Sequence, residues 1–77
     1  MSPGKLALAW RLAVGAAIDR ATEVSLREDG TVEVLAVDPA WRRELKRSHD
    51  LVLTRLQDLL GSETVRRVRV LARPGRV

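Results

Sequence analysis

Apolar residues recur at helical spacing near the start of the chain. Leu6, Trp10 and Ala13 lie three or four positions apart, which predicts one buried face of a helix over residues 5–20. Gly15 lies inside this run, where a glycine costs about 1 kcal/mol relative to alanine. We interpret it as a packing glycine, whose missing side chain lets another element approach the helix closely.

Two leucines fall on the other side of the same predicted helix. Leu8 and Leu12 project roughly opposite to Trp10, so the helix is apolar nearly all round. Such a helix is either fully buried or covered by a partner. Leu8 and Leu12 are therefore candidate partner-binding residues, and the partner is a second copy of the chain or a different protein.

Two alternating segments follow, joined by a short turn signal. Residues 22–28 and 31–37 alternate apolar and polar positions, as half-buried strands do. The Asp-Gly pair at 29–30 favours a hairpin in which both central positions have positive φ. Leu35 and Val37 break the alternation, which predicts that the second strand ends buried on both faces. The residues expected to face the core are Val24, Leu26, Val32, Val34 and Ala36.

A second helix and a third strand complete the pattern. Asp38 and Pro39 are typical of a helix N-cap and first helical position, and Gly61 is typical of a helix end. The apolar stripe of this helix comprises Trp41, Leu45, Val52, Leu56 and Leu59. Residues 67–72 alternate again, and residues 73–77 form a basic tail.

The order of these elements predicts one α+β domain over residues 1–77, with its core at about 5–72. The arrangement is α-β-β-α-β, with a three-stranded sheet and both helices on one face. Trp10 and Trp41 are the only aromatic residues, and truncating either buried ring to alanine is expected to cost about 3 to 5 kcal/mol. The structural core residues are Trp10, Gly15, Trp41 and Leu45.

Composition excludes several functional classes. The chain has no cysteine and a single histidine, so it lacks a thiol nucleophile and a disulfide scaffold, and no cluster of residues has metal-ligand spacing. We therefore expect no enzyme activity, metal, cofactor or small-molecule substrate. The first apolar run is too short to span a membrane, and a cytoplasmic protein is expected.

Positive charge is concentrated on two predicted elements. The formal net charge is +4, and most of the 14 basic residues are arginine, which suits bidentate contacts to phosphate. No aromatic residue accompanies them, so contact with the DNA backbone is favoured over base readout. A solvated surface with no ligand is the alternative interpretation. The candidate phosphate-contacting residues are Arg42, Arg43, Lys46, Arg47, Arg67 and Arg69.

The ordered set of motifs resembles the DciA family, named for a bacterial loader of the replicative helicase. The resemblance rests on Trp10, Val14, Gly15 and Ile18, on the strand 31–37, on Asp38, Pro39, Ala40, Trp41, Glu44 and Leu45, and on Leu56, Leu59, Leu60, Gly61 and 65–70. It implies a K-homology-like fold and association with DNA and the replicative helicase.

The sequence supports two alternative functions. The first is a non-catalytic accessory protein of DNA replication that binds the DNA backbone, the replicative helicase or both. The second is a protein-interaction or self-associating module, such as a homodimer, with no role on nucleic acid. We also expect Leu8 and Leu12 to lie near the basic flank of the second helix, forming one apolar patch with an arginine rim.

Overall fold

The computed structural model describes residues 2–72 of the chain. Its elements are α1 (Pro3–Val14), α2 (Ala16–Arg20), β1 (Thr22–Leu26), β2 (Thr31–Ala36), α3 (Pro39–Arg47), α4 (His49–Leu60) and β3 (Arg67–Leu71). The predicted α+β class and α-β-β-α-β order are confirmed, with each predicted helix divided in two. The arrangement is compatible with the K-homology-like architecture, which stays a prediction. The basic tail predicted at 73–77 lies outside the described residues.

The first predicted helix is interrupted at Gly15. This residue has φ 90° and ψ 165°, a conformation that is essentially restricted to glycine. Its N–H donates to the Arg11 carbonyl at 2.8 Å, which ends α1. Gly15 is exposed, and a Cβ added to it would meet no atom within 4 Å. The expectation of a packing glycine in the core was therefore wrong, because the backbone turn and not a close contact requires glycine here.

The second predicted helix is divided at Ser48. Asp38 caps α3 as predicted, with its Oδ1 accepting from the Ala40 N–H at 2.8 Å. Ser48 has φ −95° and ψ 12°, well away from helical values of about −63° and −42°. The Ser48 N–H still donates to the Glu44 carbonyl at 3.0 Å. The predicted end at Gly61 is confirmed by its φ of 98°.

The sheet has the order β1-β2-β3. β1 and β2 form an antiparallel hairpin, while β2 and β3 are parallel and are connected through α3 and α4. The Gly30 N–H donates to the Arg27 carbonyl at 3.0 Å, and the Arg27 N–H donates to the Thr31 carbonyl at 2.8 Å. Within this loop only Gly30 has a positive φ. The loop is thus a three-residue connection closed by a glycine bulge, not the expected turn with two positive φ angles.

The helices cover one face of the sheet. Val32, Val34 and Ala36 from β2 are buried against Trp10 and Leu45, as the alternation predicted. Val24 and Leu26 from β1 are only half-buried. The core is therefore centred under β2 and thins toward β1.

The two tryptophans differ in burial. Trp10 is fully buried, and its indole N–H donates to Thr22 Oγ1 at 2.9 Å. Trp41 packs against the core and keeps a minor part of its surface exposed. Both rings therefore contribute to the core, as predicted, and Trp10 is the more deeply buried of the two. Val37 and Leu59 were also expected inside but are exposed. Val37 follows the end of β2, and Leu59 lies beside the buried stripe of α4.

Candidate nucleic-acid and partner interfaces

The basic cluster of α3 faces solvent. The Asp38 cap and Pro39 set the start of the helix, and the burial of Leu45 then fixes which side turns outward. Arg43, Lys46 and Arg47 are exposed on that outward side. The structure thus brings these three predicted phosphate-contacting residues together. We call Arg43, Lys46 and Arg47 the α3 cluster.

Little negative charge opposes the α3 cluster. Arg47 Nη1 lies 3.9 Å from Glu44 Oε1, with both side chains exposed, and such a surface pair contributes about 0 to 1 kcal/mol. Among residues 2–72, no hydrogen bond or ion pair involves the side chain of Arg43 or Lys46. Their charges are available to an anionic ligand.

Arg42 has a different role from its neighbours. Its Nη1 donates to the Ala36 carbonyl at 2.8 Å and to the Val37 carbonyl at 2.7 Å. These two bonds fasten the start of α3 to the end of β2. The sequence alone places Arg42 in the same group as the α3 cluster, whereas in the structure its Nη1 is hydrogen-bonded to the backbone.

The arginines of β3 lie on the other side of the molecule. Arg67 and Arg69 project from the sheet face opposite the helices, at positions paired with Thr31 and Glu33 of β2. Arg67 Nη1 donates to Thr31 Oγ1 at 2.9 Å and lies 3.4 Å from Asp29 Oδ2. Hydrogen bonds from Thr31, with the nearby charges of Arg67 and Arg27, lower the pKa of Asp29 below its usual value. Arg67 is therefore already engaged, and Arg69 is the more available of the two.

The predicted partner-binding leucines are exposed. Leu8 and Leu12 of α1 have 60% and 61% of their surface accessible. α1 packs against α4, where the Arg55 Nη1 donates to the Ala13 carbonyl at 3.2 Å. α4 adds a further exposed leucine, Leu51, which sequence reasoning missed because Leu51 lies outside the apolar stripe. The patch joining Leu8 and Leu12 to the α3 cluster stays a prediction.

A cleft at the open side of the sheet was also missed. It has a volume of about 990 Å³ and lies between the first turns of α1, β1, the hairpin loop and the residues before β3. Leu6 and Ala7 line one wall, and Val24 and Leu26 line the other. No motif in the sequence marks this cleft, because its walls come from three separate segments of the chain.

The only histidine connects two elements. His49 Nε2 lies 2.8 Å from the Val68 carbonyl, and Nδ1 lies 3.1 Å from Asp50 Oδ1. The bond to Asp50 and then the bond to Val68 raise the pKa of His49 above its usual value. His49 is thus placed to join α4 to β3.

Within residues 2–72 no group of residues could hold a metal ion, and no helix is long and apolar enough to cross a membrane.

Comparison with known proteins identifies a family. A family described as "Dna[CI] antecedent, DciA" matches residues 2–70 of the chain. A comparison with individual curated proteins found no significant match. The matched range includes every candidate site residue described above.

Proposed function

The chain belongs to the DciA family, and from that premise we propose that it is a non-catalytic accessory protein of the bacterial replicative helicase that contacts DNA phosphates through the α3 cluster. The observation that carries the proposal is the exposure of Arg43, Lys46 and Arg47 on one side of a helix, with Glu44 as the only acidic residue of that helix. Such a protein acts in the cytoplasm, where the bacterial chromosome is replicated.

The charge pattern supports backbone contact. α3 carries four basic residues and one acid over Pro39–Arg47, and the positive end of a helix dipole adds to the field near Arg43. An anion near this end offsets the mutual repulsion of the cationic side chains. Arg69 and Arg67 form a second, weaker candidate site on the opposite sheet face, and Arg42 contributes through the position it gives to α3.

Fluorescence anisotropy with a labelled duplex and a labelled single strand tests the DNA contact. Three phosphates neutralised by the α3 cluster predict a slope of log affinity against log salt of about −2.7 for duplex DNA and about −2.1 for a single strand. Arg43→Glu with Arg47→Glu should abolish binding at low salt while leaving the circular dichroism spectrum unchanged.

A charge-matched variant separates local contact from overall charge. Arg11→Glu with Arg20→Glu changes the net charge by the same amount, but at exposed positions on α1 and α2. It should retain most of the affinity. Equal losses for the two double variants, or no binding by the unaltered chain at low salt, would contradict a DNA site on α3.

A second candidate function rests on the exposed leucines of α1. Leu8 and Leu12 present an apolar surface that suits a protein partner, and the family assignment favours the replicative helicase as that partner. A pull-down with the purified helicase should retain the unaltered chain and lose a Leu8→Ser, Leu12→Ser variant. Exposure of both side chains means that this variant should fold, so undiminished capture of the variant would exclude this surface.

A further inference from the structure

The outer edge of β1 is open. β1 pairs with β2 on one side, and within residues 2–72 no strand lies on its other side. The Arg27 N–H donates to the Thr31 carbonyl, so the alternation of an antiparallel ladder turns the main-chain groups of Val24 and Leu26 away from β2. A row of unpaired donors and acceptors such as this one is a template for another strand.

The opposite edge of the sheet is better protected. The Arg67 N–H donates to the carbonyl of Gly30, the residue before β2, at 3.3 Å, so the main-chain groups of Val68 face outward. The Val68 carbonyl accepts a hydrogen bond from His49 Nε2 at 2.8 Å. A side chain therefore occupies the outer edge of β3, and β1 is the edge available for pairing.

The cleft beside β1 leaves room for the side chains of an added strand. Its walls are Leu6 and Ala7 on α1, and the half-buried Val24 and Leu26 on β1. The charged residues that line it balance, with three arginines and three acids: Arg27, Arg66, Arg67, Glu28, Asp29 and Glu63. A neutral cleft lacks the positive charge that a nucleic-acid backbone requires, which favours a protein strand.

The sequence of β1 complements itself. In an antiparallel pairing centred on Ser25, Val24 lies opposite Leu26 of a second copy, and Glu23 lies opposite Arg27. Apolar residues then meet on the inner face, and opposite charges meet on the outer face, as favourable cross-strand pairs do. We propose that two copies of this chain associate through β1 in this register, forming a continuous six-stranded sheet.

The geometry of the pair follows from the register. Val24 and Leu26 face outward along the edge, so each exchanges two main-chain hydrogen bonds with its counterpart. Residues directly opposite each other share a face, so the helices of both copies lie on the same side of the joined sheet. Pairing through β1 does not require DNA, so a failure of the chain to bind DNA would leave it intact.

Sedimentation equilibrium over a wide concentration range tests the association. The apparent mass should rise from the 8.6 kDa monomer toward twice that value. Ser25→Lys should weaken the dimer by up to about fivefold, because like charges then lie directly opposite across the axis. Within one copy the new lysine lies beside Glu33, so the monomer should stay folded. Thr54→Lys, at an exposed position on α4, should leave the dimer unchanged.

Cysteine cross-linking tests the register. The chain has no cysteine, so Ser25→Cys introduces a single thiol, opposite its own copy at a Cα separation of about 4.5 Å that a disulfide can bridge. Mild oxidation should give a covalent dimer rapidly. Glu23→Cys, on the same face of β1 but opposite Arg27 of the second copy, should not cross-link rapidly. If the chain is monomeric at all concentrations, the proposal is wrong, and the edge of β1 is then open to a strand of a different protein. Equal cross-linking of the two cysteine variants would also overturn it.

Discussion

Truncation of Trp10 should cost more stability than truncation of Trp41. Trp10 is fully buried, and its indole N–H donates to Thr22 Oγ1, which in turn donates to the Ile18 carbonyl at 2.7 Å. Burying about 150 to 250 Å² of aromatic surface at about 25 cal/mol per Å² stabilises by about 4 to 6 kcal/mol. Measured tryptophan-to-alanine truncations in protein cores cost about 3 to 5 kcal/mol.

The consequence depends on the size of the domain. A chain of this length has an unfolding free energy of roughly 4 to 12 kcal/mol, so Trp10→Ala should remove about a quarter of it or more. Trp41 packs against the core but is partly exposed, so its truncation should cost less, about 2 to 4 kcal/mol. The sequence alone gives the same cost for both rings, whereas their burial in the structure makes Trp10→Ala the more destabilising change.

Urea unfolding followed by circular dichroism at 222 nm measures both costs without using tryptophan fluorescence. Conservative variants provide a second test, because Trp41→Phe leaves Trp10 as the only indole. Emission from Trp10 should then be blue-shifted and insensitive to iodide, whereas Trp10→Phe should leave a quenchable Trp41. Equal unfolding midpoints for the two alanine variants, or strong iodide quenching of Trp10, would refute the assignment of Trp10 as the centre of the core.

Three further changes test particular contacts. Gly15→Ala should destabilise by about 1 to 3 kcal/mol despite the open space around it, because an alanine resists its φ of 90°; thermal unfolding measures the loss. Because the pKa of His49 is raised in the folded protein, protonated His49 stabilises the fold fully below pH 6.5, and this stabilisation is lost as the pH rises through the folded-state pKa. Urea midpoints measured across this pH range should therefore fall with rising pH. In His49→Gln this pH dependence should be absent. Arg42→Met should lower the free energy of unfolding by about 1 to 3 kcal/mol because it removes two hydrogen bonds to carbonyls. An unchanged urea midpoint would show that those bonds contribute nothing.

The order of elements could be predicted because both periodicities are strong. Alternation over β1 and β2 and the capping pair at Asp38 and Pro39 specify local structure with little help from tertiary contacts. The two helix interruptions could not be predicted in the same way. A glycine inside a helix costs only about 1 kcal/mol, so the apolar pattern continues across Gly15 although the backbone turns there. At Ser48 the next residue is held to β3 through the His49 ring, a contact 19 residues away in sequence.

The charged residues of the candidate site could be predicted from the sequence, but the contacts that each of them makes could not. Helical spacing shows that Arg43, Lys46 and Arg47 turn away from Leu45. It does not show that Arg42 reaches back to two carbonyls at the end of β2, since that contact depends on the angle between strand and helix.

The separation of the two basic groups has a consequence for affinity. With Arg67 and Arg69 on the far sheet face, the α3 cluster of one copy offers three phosphate contacts to a given stretch of DNA, and three such contacts alone give weak, salt-sensitive binding. Pairing through β1 would place two α3 clusters on the same side of one rigid sheet, so the second cluster would bind at a high effective concentration once the first is bound. Dimer-weakening Ser25→Lys should then lower DNA affinity although the residue lies far from α3, and this loss should vanish at concentrations where both proteins are dimeric. A loss of affinity that persists under those conditions would show that the two surfaces act independently.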